Sequence, residues 1–180
     1  MSTYVLTTKI YVPTPTAKLV ERARLMEYLQ ACREKKLILV SAPAGFGKTT
    51  LLTEFYRHHH KPLAWLSVDI RDNDPARFWI HLIAALQTTG GYPGQSAISD
   101  LQKSPSPVME RVLSDLINDL DKTEQEVCLV VDDYHLITNP DIHAGMVFLL
   151  ENLPANLQLV VSGRSDPPWL LSRYRASREM

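Results

Sequence analysis

The chain has 180 residues, 45% of them hydrophobic, and a formal net charge of -1 at pH 7. This length and composition allow one well-packed domain. The near-neutral charge excludes the global basic field that carries nonspecific nucleic-acid binding. Cys32 and Cys128 have no metal-ligand spacing, and we interpret both as reduced core residues of a cytoplasmic protein. No apolar run is long enough to span a membrane, and the first residues lack the layout of a signal peptide.

The N-terminal third of the chain predicts an arm, a helix, a strand and a second helix. Residues 1–18 are rich in Thr and Pro, which favours an extended arm. The stretch LVERARLMEYLQACRE has apolar residues at helical spacing and predicts a helix that ends near Glu34. LILVS, residues 37–41, is a short apolar run typical of a strand buried on both faces. A helix is predicted from Lys48 onward.

The remaining segments continue this alternation. Strands are predicted at residues 63–68, 127–131 and 157–162. Asp74 as N-cap and Pro75 as the first helical residue predict a helix after the second strand, and Ser106 with Pro107 predict another. The Gly-, Pro- and Ser-rich segment GGYPGQSAISDLQKSPSP between these two helices is predicted to be a surface loop. NPDIHAGMVFLLENLP predicts the last helix before the fourth strand. This alternation indicates a parallel α/β sheet covered by helices on both faces.

The stretch SAPAGFGKTTLL, residues 41–52, nearly matches the phosphate-binding loop G-x-x-x-x-G-K-[ST], with Ala42 in place of the first glycine. In such a loop, backbone N–H groups turn inward around phosphate oxygens, and the following helix adds its positive end. Lys48 would reach the β- and γ-phosphates, and the Thr49 hydroxyl would ligate Mg²⁺. A turn without a ligand is the alternative, but the strand-loop-helix context favours a nucleotide. The predicted phosphate-binding residues are Pro43, Ala44, Gly45, Phe46, Gly47, Lys48, Thr49 and Thr50.

Two acidic residues end the third predicted strand, in CLVVDDYHLI. A carboxylate at this position holds the Mg²⁺ shell in P-loop enzymes, and we assign that role to Asp132. Asp133 would orient or deprotonate the attacking water. A helix cap or a solvated charge is the alternative interpretation of Asp133.

The fourth predicted strand continues into a polar segment, LQLVVSGRSDPP, that contains Ser162 and Arg164. The order of elements matches the P-loop branch that has an additional strand in its sheet and an acidic residue beside the Mg²⁺ aspartate. In that branch, the strand that follows the aspartate strand in sequence ends in a polar phosphate sensor. Arg164 suits that role because a guanidinium binds phosphate oxygens in a forked geometry. The alternative is an ordinary surface arginine.

These segments together resemble the N-terminal nucleotide-binding domain of MalT-like, LuxR-type transcriptional activators, which are signal-transduction ATPases (STAND proteins) of the P-loop class. The resemblance rests on LTTKIYVPTPTAKLVERARL, SAPAGFGKTT, WLSVDIRDNDPARFWIHLIAAL, LVVDDYHLI and LVVSGRSDPPWLLSRYRA, and it covers nearly the whole chain. The DNDPARFW segment is more specific than the loop, and Ala at position 42 is ordinary in that family.

The resemblance implies a nucleotide-controlled switch. ADP would hold an inactive monomer, whereas ATP with an inducer would favour self-association, and hydrolysis would reset the state. Val20 and Arg22 match the family's upstream nucleotide-contact motif, although Glu21 stands where related ATPases often have Gly. The family's inducer-binding helical repeats and DNA-binding helix-turn-helix would lie outside this sequence.

The resemblance also implies a three-layer α/β/α fold with strand order 2-3-4-1 and an edge left free for a fifth strand. We therefore expect residues 1–36 to form an arm and a helix that contact adenine, and residues 37–180 to form a P-loop core truncated at its C-terminal end. Two functional alternatives stay open, a P-loop kinase and a nucleotide-binding module without turnover. The absence of Arg between residues 90 and 107 argues against a kinase lid.

Overall fold

A computed structural model describes residues 5–14, 22–57, 61–91, 93–103 and 108–169. Its centre is a four-stranded parallel sheet of β1 (Leu37–Ser41), β2 (Leu63–Ser67), β3 (Val127–Asp132) and β4 (Leu157–Gly163). The strand order is β1-β4-β3-β2. This is the predicted order 2-3-4-1 read from the opposite edge, and the predicted fold class is confirmed. All four strands lie within one residue of their predicted bounds.

Within the described residues, six α-helices cover the sheet. They are α1 (Ala23–Ala31), α2 (Lys48–Arg57), α3 (Pro75–Gln87), α4 (Gln95–Lys103), α5 (Met109–Asp121) and α6 (Pro140–Glu151). Short 3₁₀ turns occur at Thr7–Lys9, Ile70–Asn73 and Tyr134–Leu136. No helix in the described part of the chain is long and apolar enough to cross a membrane.

The strands are buried on both faces because each face meets a different helical layer. Leu129 and Val131 of β3 belong to the core formed with α3, α4, α5 and α6, whereas Cys128 and Val130 belong to the core formed with α1 and α2. Side chains alternate between the two faces of a strand, so a strand between two layers has to be apolar throughout. This is the physical reason why the short apolar runs were visible in the sequence.

The N-termini of three helices can be compared with the starts that the sequence predicts. The Asp74 side chain accepts a hydrogen bond from the Arg77 N–H, and Pro75 is the first helical residue, as expected. The first helix begins at Ala23, later than predicted, and residues 15–21 lie outside the described part. Helix α5 begins at Met109 with Val108 at the cap position. The predicted caps Ser106 and Pro107 lie outside the described residues.

The prediction of a surface loop between α3 and α5 is wrong in its central part. Residues Gln95–Lys103 form helix α4, in which Ala97 and Leu101 are buried. Gly94 has φ 74° and lies immediately before the helix. The flanking Gly and Pro residues favoured a loop interpretation over a short amphipathic helix, in which the spacing i, i+4 directs two apolar side chains into the core.

The strand register places the carboxyl-terminal ends of the strands side by side. Ser41 of β1 is opposite Gly163 of β4, and Ser67 of β2 is opposite Asp132 of β3. The carboxyl ends of the strands therefore align at one edge, which is where ligands bind in open parallel α/β sheets.

Candidate nucleotide-binding site

The loop between β1 and α2 has the backbone geometry that its glycines predict. Gly45 has φ 81° and Gly47 has φ 70°, conformations that cost glycine little. Asp133 is the only non-glycine residue with positive φ among those the structure describes. Ala42 is thus free of left-handed strain, and its methyl group is tolerated at the strand exit.

Lys48, the first residue of α2, lies against this loop. Its ammonium donates hydrogen bonds to the carbonyls of Ala42 at 2.7 Å and Pro43 at 3.2 Å, and the residue is 8% exposed. The positive charge is therefore held beside the loop N–H groups and the N-terminus of α2, where an anion is stabilised.

Thr49 and Asp132, the two predicted metal ligands, are in direct contact. Thr49 Oγ1 donates to Asp132 Oδ2 at 2.7 Å, although the residues are far apart in sequence. Ser162 Oγ donates to Asp132 Oδ1, and Asp132 is 3% exposed. In nucleotide sites, Mg²⁺ binds few protein oxygens, and phosphate oxygens and water complete its octahedral coordination. A hydroxyl and a carboxylate beside a phosphate-binding loop meet this preference. The donor set therefore suits this metal.

Asp133 follows directly at the edge of the sheet and adopts the left-handed conformation with φ 59°. Its N–H donates to Asp132 Oδ1 at 3.1 Å and to Ser162 Oγ at 3.3 Å. The Asp133 side chain is 47% exposed and lies 3.7 Å from His135 Nδ1. The Asp133 N–H thus faces Asp132 and Ser162, while its carboxylate is open to solvent.

His135 is a residue of this edge that the sequence analysis did not single out. Its side chain is 11% exposed. Burial lowers the pKa of its imidazole, Asp133 opposes this shift, and Arg164 and Lys48 reinforce it. The ring is therefore predominantly neutral at pH 7 and can both donate and accept a proton. The signal in the sequence was a histidine two residues after the paired aspartates, but only the fold shows that it faces the site.

Arg164 and Arg22 reach the site from two sides. Arg164 is exposed and follows Gly163 at the end of β4, close enough to influence His135. Arg22, the residue before α1, donates to the Phe46 carbonyl at 2.6 Å. Its guanidinium lies 3.0 Å from where a side chain at Gly47 would begin, so the loop and this arginine are closely packed. Val20, the other predicted upstream contact, lies outside the described residues.

A separate groove of about 610 Å³ lies between α3, α5 and α6, away from the phosphate loop. Its floor includes Leu113 and Phe148, and its rim carries Asp74, Glu110 and Asp141. All three acids lie at helix N-termini, where a carboxylate is stabilised by the helix dipole. The positions of these acids, Asp74 at the N-cap of α3 and Glu110 and Asp141 in the first turns of α5 and α6, therefore account for the acidic rim.

Comparison with known families identifies the family to which the chain belongs. The chain matches the AAA ATPase domain family over residues 19–162. This span contains β1 with its loop, β3 with Asp132, and β4 up to Ser162. The chain belongs to the AAA ATPase domain family. The predicted P-loop class is thus confirmed.

Individual relatives extend this result. The AAA ATPase domain described here is 37% identical over 174 residues to the HTH-type transcriptional regulator MalT of Yersinia enterocolitica and 36% identical over 172 residues to that of Serratia proteamaculans. Each match covers 96% of this chain and 19% of the relative, so the chain spans about a fifth of the relatives' length. The resemblance to MalT-like regulators is confirmed.

A solved structure shows the same fold at low sequence identity. Cdc6p of Pyrobaculum aerophilum superposes with a TM-score of 0.56 at 16% identity, covering 87% of this chain and 41% of the other. At this identity the likeness concerns the fold alone.

The contact between Thr49 and Asp132 gives the AAA ATPase domain a testable metal dependence. We expect Mg²⁺ to strengthen ATP binding by the wild type, and to change the Kd of Asp132→Ala by less than about twofold. The loss of the carboxylate removes an acceptor of the Thr49 and Ser162 hydroxyls and of the Asp133 N–H, all of them neutral donors, which costs about 1–3 kcal/mol of stability. Calorimetric titrations with and without Mg²⁺ measure the effect, with Asp100→Ala, at a partly exposed residue of α4, as control. An Asp132→Ala variant that keeps the wild-type response to Mg²⁺ would disprove the metal assignment.

Proposed function

We propose that this chain binds ATP and ADP with Mg²⁺ and hydrolyses ATP slowly, as the switch module of a larger transcriptional regulator. The observation that carries the proposal is the 2.7 Å contact between Thr49 of α2, the helix that follows the phosphate loop, and Asp132 at the end of β3. That contact joins the two halves of a P-loop site, and the family match gives it the appropriate chemistry.

The phosphate groups would be held by the loop and by Lys48. The N–H groups of residues 43–50 would bind the β- and γ-phosphate oxygens, and the Lys48 ammonium would exchange the carbonyls of Ala42 and Pro43 for phosphate oxygens. Thr49 and Asp132 would hold Mg²⁺, which offsets the negative charge of the phosphates when bound. The residues nearest the γ-phosphate would thus be supplied from the ends of β1 and β3, which flank β4 in the sheet.

Water activation is assigned to Asp133 and phosphate sensing to Arg164. Asp133 has a solvent-accessible carboxylate beside the metal residues, as a group that orients or deprotonates water requires. Arg164 lies at the end of the strand next to β1 and would bind the γ-phosphate with its guanidinium. The His135 ring, whose side chain is 11% exposed, lies 3.7 Å from the Asp133 carboxylate.

The adenine is proposed to lie against the segment that precedes α1. Arg22 contacts the loop through the Phe46 carbonyl, and this contact supports a position of the segment beside the bound phosphates. Val20 and Arg22 would provide the contacts to the nucleoside. Residues 1–36 would form the adenine-contacting segment, and residues 37–180 would form the P-loop core.

The larger regulator is proposed from the relatives. They are described as HTH-type transcriptional regulators, and this chain spans 19% of their length. DNA and inducer would therefore be bound by other domains of a LuxR-type, STAND-class protein in the cytoplasm. ATP would favour self-association of the regulator, and ADP would favour the monomer. ATP hydrolysis would therefore convert the self-associated form back to the monomer.

The proposal is tested by measuring phosphate release from Mg²⁺·ATP without any acceptor, together with sedimentation of the same samples in ATP analogue and in ADP. We expect slow release and a larger mass with the analogue than with ADP. Tight binding without release would instead support a module without turnover, and transfer only to an added alcohol acceptor would support a kinase. An equal mass with both nucleotides would contradict the control of self-association.

A further inference from the structure

Asn73, in the DNDP segment, makes contacts that the nucleotide site does not explain. It ends the 3₁₀ turn Ile70–Asn73 after β2. Its side-chain Nδ2 donates to the carbonyl of Leu136 at 2.8 Å and to that of Ile70 at 3.1 Å. The first of these bonds crosses to the loop that follows Asp132. One amide therefore joins two loops that are separated in sequence by α3, α4, α5 and β3.

The oxygen of the same amide binds the far end of that loop. Asn73 Oδ1 accepts from the Thr138 N–H at 2.6 Å, the Thr138 hydroxyl at 3.1 Å and the Asn139 N–H at 3.1 Å. The Asn73 carbonyl accepts from Asn139 Nδ2 at 3.0 Å. Backbone groups away from water need partners, and a loop without a strand neighbour has to obtain them from side chains. Asn73 supplies them on both sides of Ile137.

The contacts continue from the loop to the residues of the site. Leu136 accepts from Asn73 through its carbonyl, and its N–H donates to the Asp133 carbonyl at 3.0 Å. Asp133 in turn donates its N–H to Asp132 Oδ1. A non-glycine residue with φ 59° persists only where its surroundings hold it, and this chain of hydrogen bonds is what holds Asp133.

Asn73 is itself fixed, because its neighbour Asp72 is fully buried in a charge cluster. Asp72 pairs with the Lys9 ammonium, lies 3.3 Å from Arg77 Nε, and lies 3.2 Å from His81 Nδ1. A buried carboxylate with several cationic and N–H partners resists displacement, since removing any partner leaves a buried charge. The backbone at position 73 is therefore a rigid support.

We propose that Asn73 is a positioning residue, which holds the loop carrying Asp133 and His135 in the orientation that hydrolysis needs without touching the nucleotide. This inference rests on the proposed function. A group that acts only on the geometry of the reacting residues alters turnover of bound ATP and leaves its binding nearly unchanged.

Asn73→Asp tests the proposal with little change in volume. The variant keeps an oxygen for Thr138 and Asn139 but places a carboxylate oxygen opposite the Leu136 and Ile70 carbonyls. We expect the single-turnover hydrolysis rate to fall at least about 10-fold, since small misplacements at a reacting centre cost up to about 100-fold. The Kd for Mg²⁺·ATP should change less than about threefold.

Asn156→Asp is the matched control. Asn156 Nδ2 also binds several backbone carbonyls, including those of Leu120 at 2.9 Å and Thr123 at 2.7 Å. It precedes β4 and so lies at the opposite edge of the sheet from the phosphate loop. Its substitution should lower the unfolding temperature without changing the hydrolysis rate of the folded protein.

A second variant covers the case in which Asn73→Asp does not fold. Asn73→Ala removes the amide without adding a charge, and should slow hydrolysis while speeding hydrogen exchange at the Thr138 and Asn139 amides. Wild-type hydrolysis rates in the folded Asn73 variants, or a rate loss matched by an equal loss of affinity, would overturn the positioning role alone. A wild type that neither binds nor hydrolyses ATP would overturn the proposed function, and this inference with it.

Discussion

Lys48→Ala is expected to weaken ATP binding at least about 100-fold, which places it beyond detection by ordinary calorimetry. The Lys48 ammonium is held beside the loop by two carbonyls and would be transferred to the phosphates. Hydrogen bonds to charged groups contribute roughly 1.5–3 kcal/mol each. Two such bonds therefore correspond to about 100-fold or more in Kd.

The control for Lys48→Ala is Lys61→Ala. Lys61 pairs with Glu126 at 2.7 Å before β2, at the edge of the sheet opposite the loop. This variant removes the same charge and should bind ATP with wild-type affinity. If calorimetry gave Lys48→Ala a Kd within about threefold of the wild type, the loop would not be a phosphate site.

Asp133→Asn is expected to reduce phosphate release by about 100-fold or more, because a positioned general base contributes roughly 10²–10⁴-fold. Asparagine tolerates the left-handed backbone conformation, so the φ of 59° can be kept. Nucleotide affinity should stay close to that of the wild type. Single-turnover hydrolysis and calorimetry on the same preparation measure the two quantities separately.

Asp100→Asn serves as the control for Asp133→Asn, since Asp100 is a partly exposed carboxylate that lies 3.8 Å from Arg111. It should hydrolyse ATP at the wild-type rate. Unchanged hydrolysis in Asp133→Asn would remove the catalytic role of that residue. A fall in Mg²⁺-dependent affinity of the same size would instead move Asp133 into the metal shell beside Asp132.

The sequence predicted best those features, such as buried strands and helix caps, that depend on residues close to one another in the chain. A strand between two helical layers is apolar throughout, so β1 and β3 could be predicted to within a residue. The N-cap at Asp74 was visible because its partner, the N–H of Arg77, is three residues away. Helix α4 was missed because flanking Gly and Pro residues dominate a local interpretation, whereas burial of Ala97 and Leu101 depends on the fold.

The site was only partly visible for a related reason. The glycine-rich loop is a local pattern, and the Asp132 strand could be matched to it through the order of elements. The contribution of Asn73 depends on hydrogen bonds to residues more than 60 positions away, to which no local spacing points. His135 likewise follows a recognisable aspartate pair, but its approach to Arg164 and Lys48 arises from the convergence of three strand ends.

A crystal structure of the chain with a non-hydrolysable ATP analogue and Mg²⁺ tests the central claim most directly. We predict β- and γ-phosphates bound by the amides of residues 43–50, the Lys48 ammonium moved from the Ala42 carbonyl to a phosphate oxygen, and Mg²⁺ on Thr49 Oγ1 beside Asp132. An analogue bound elsewhere, with Lys48 still on the Ala42 carbonyl and Thr49 still donating to Asp132, would contradict the account.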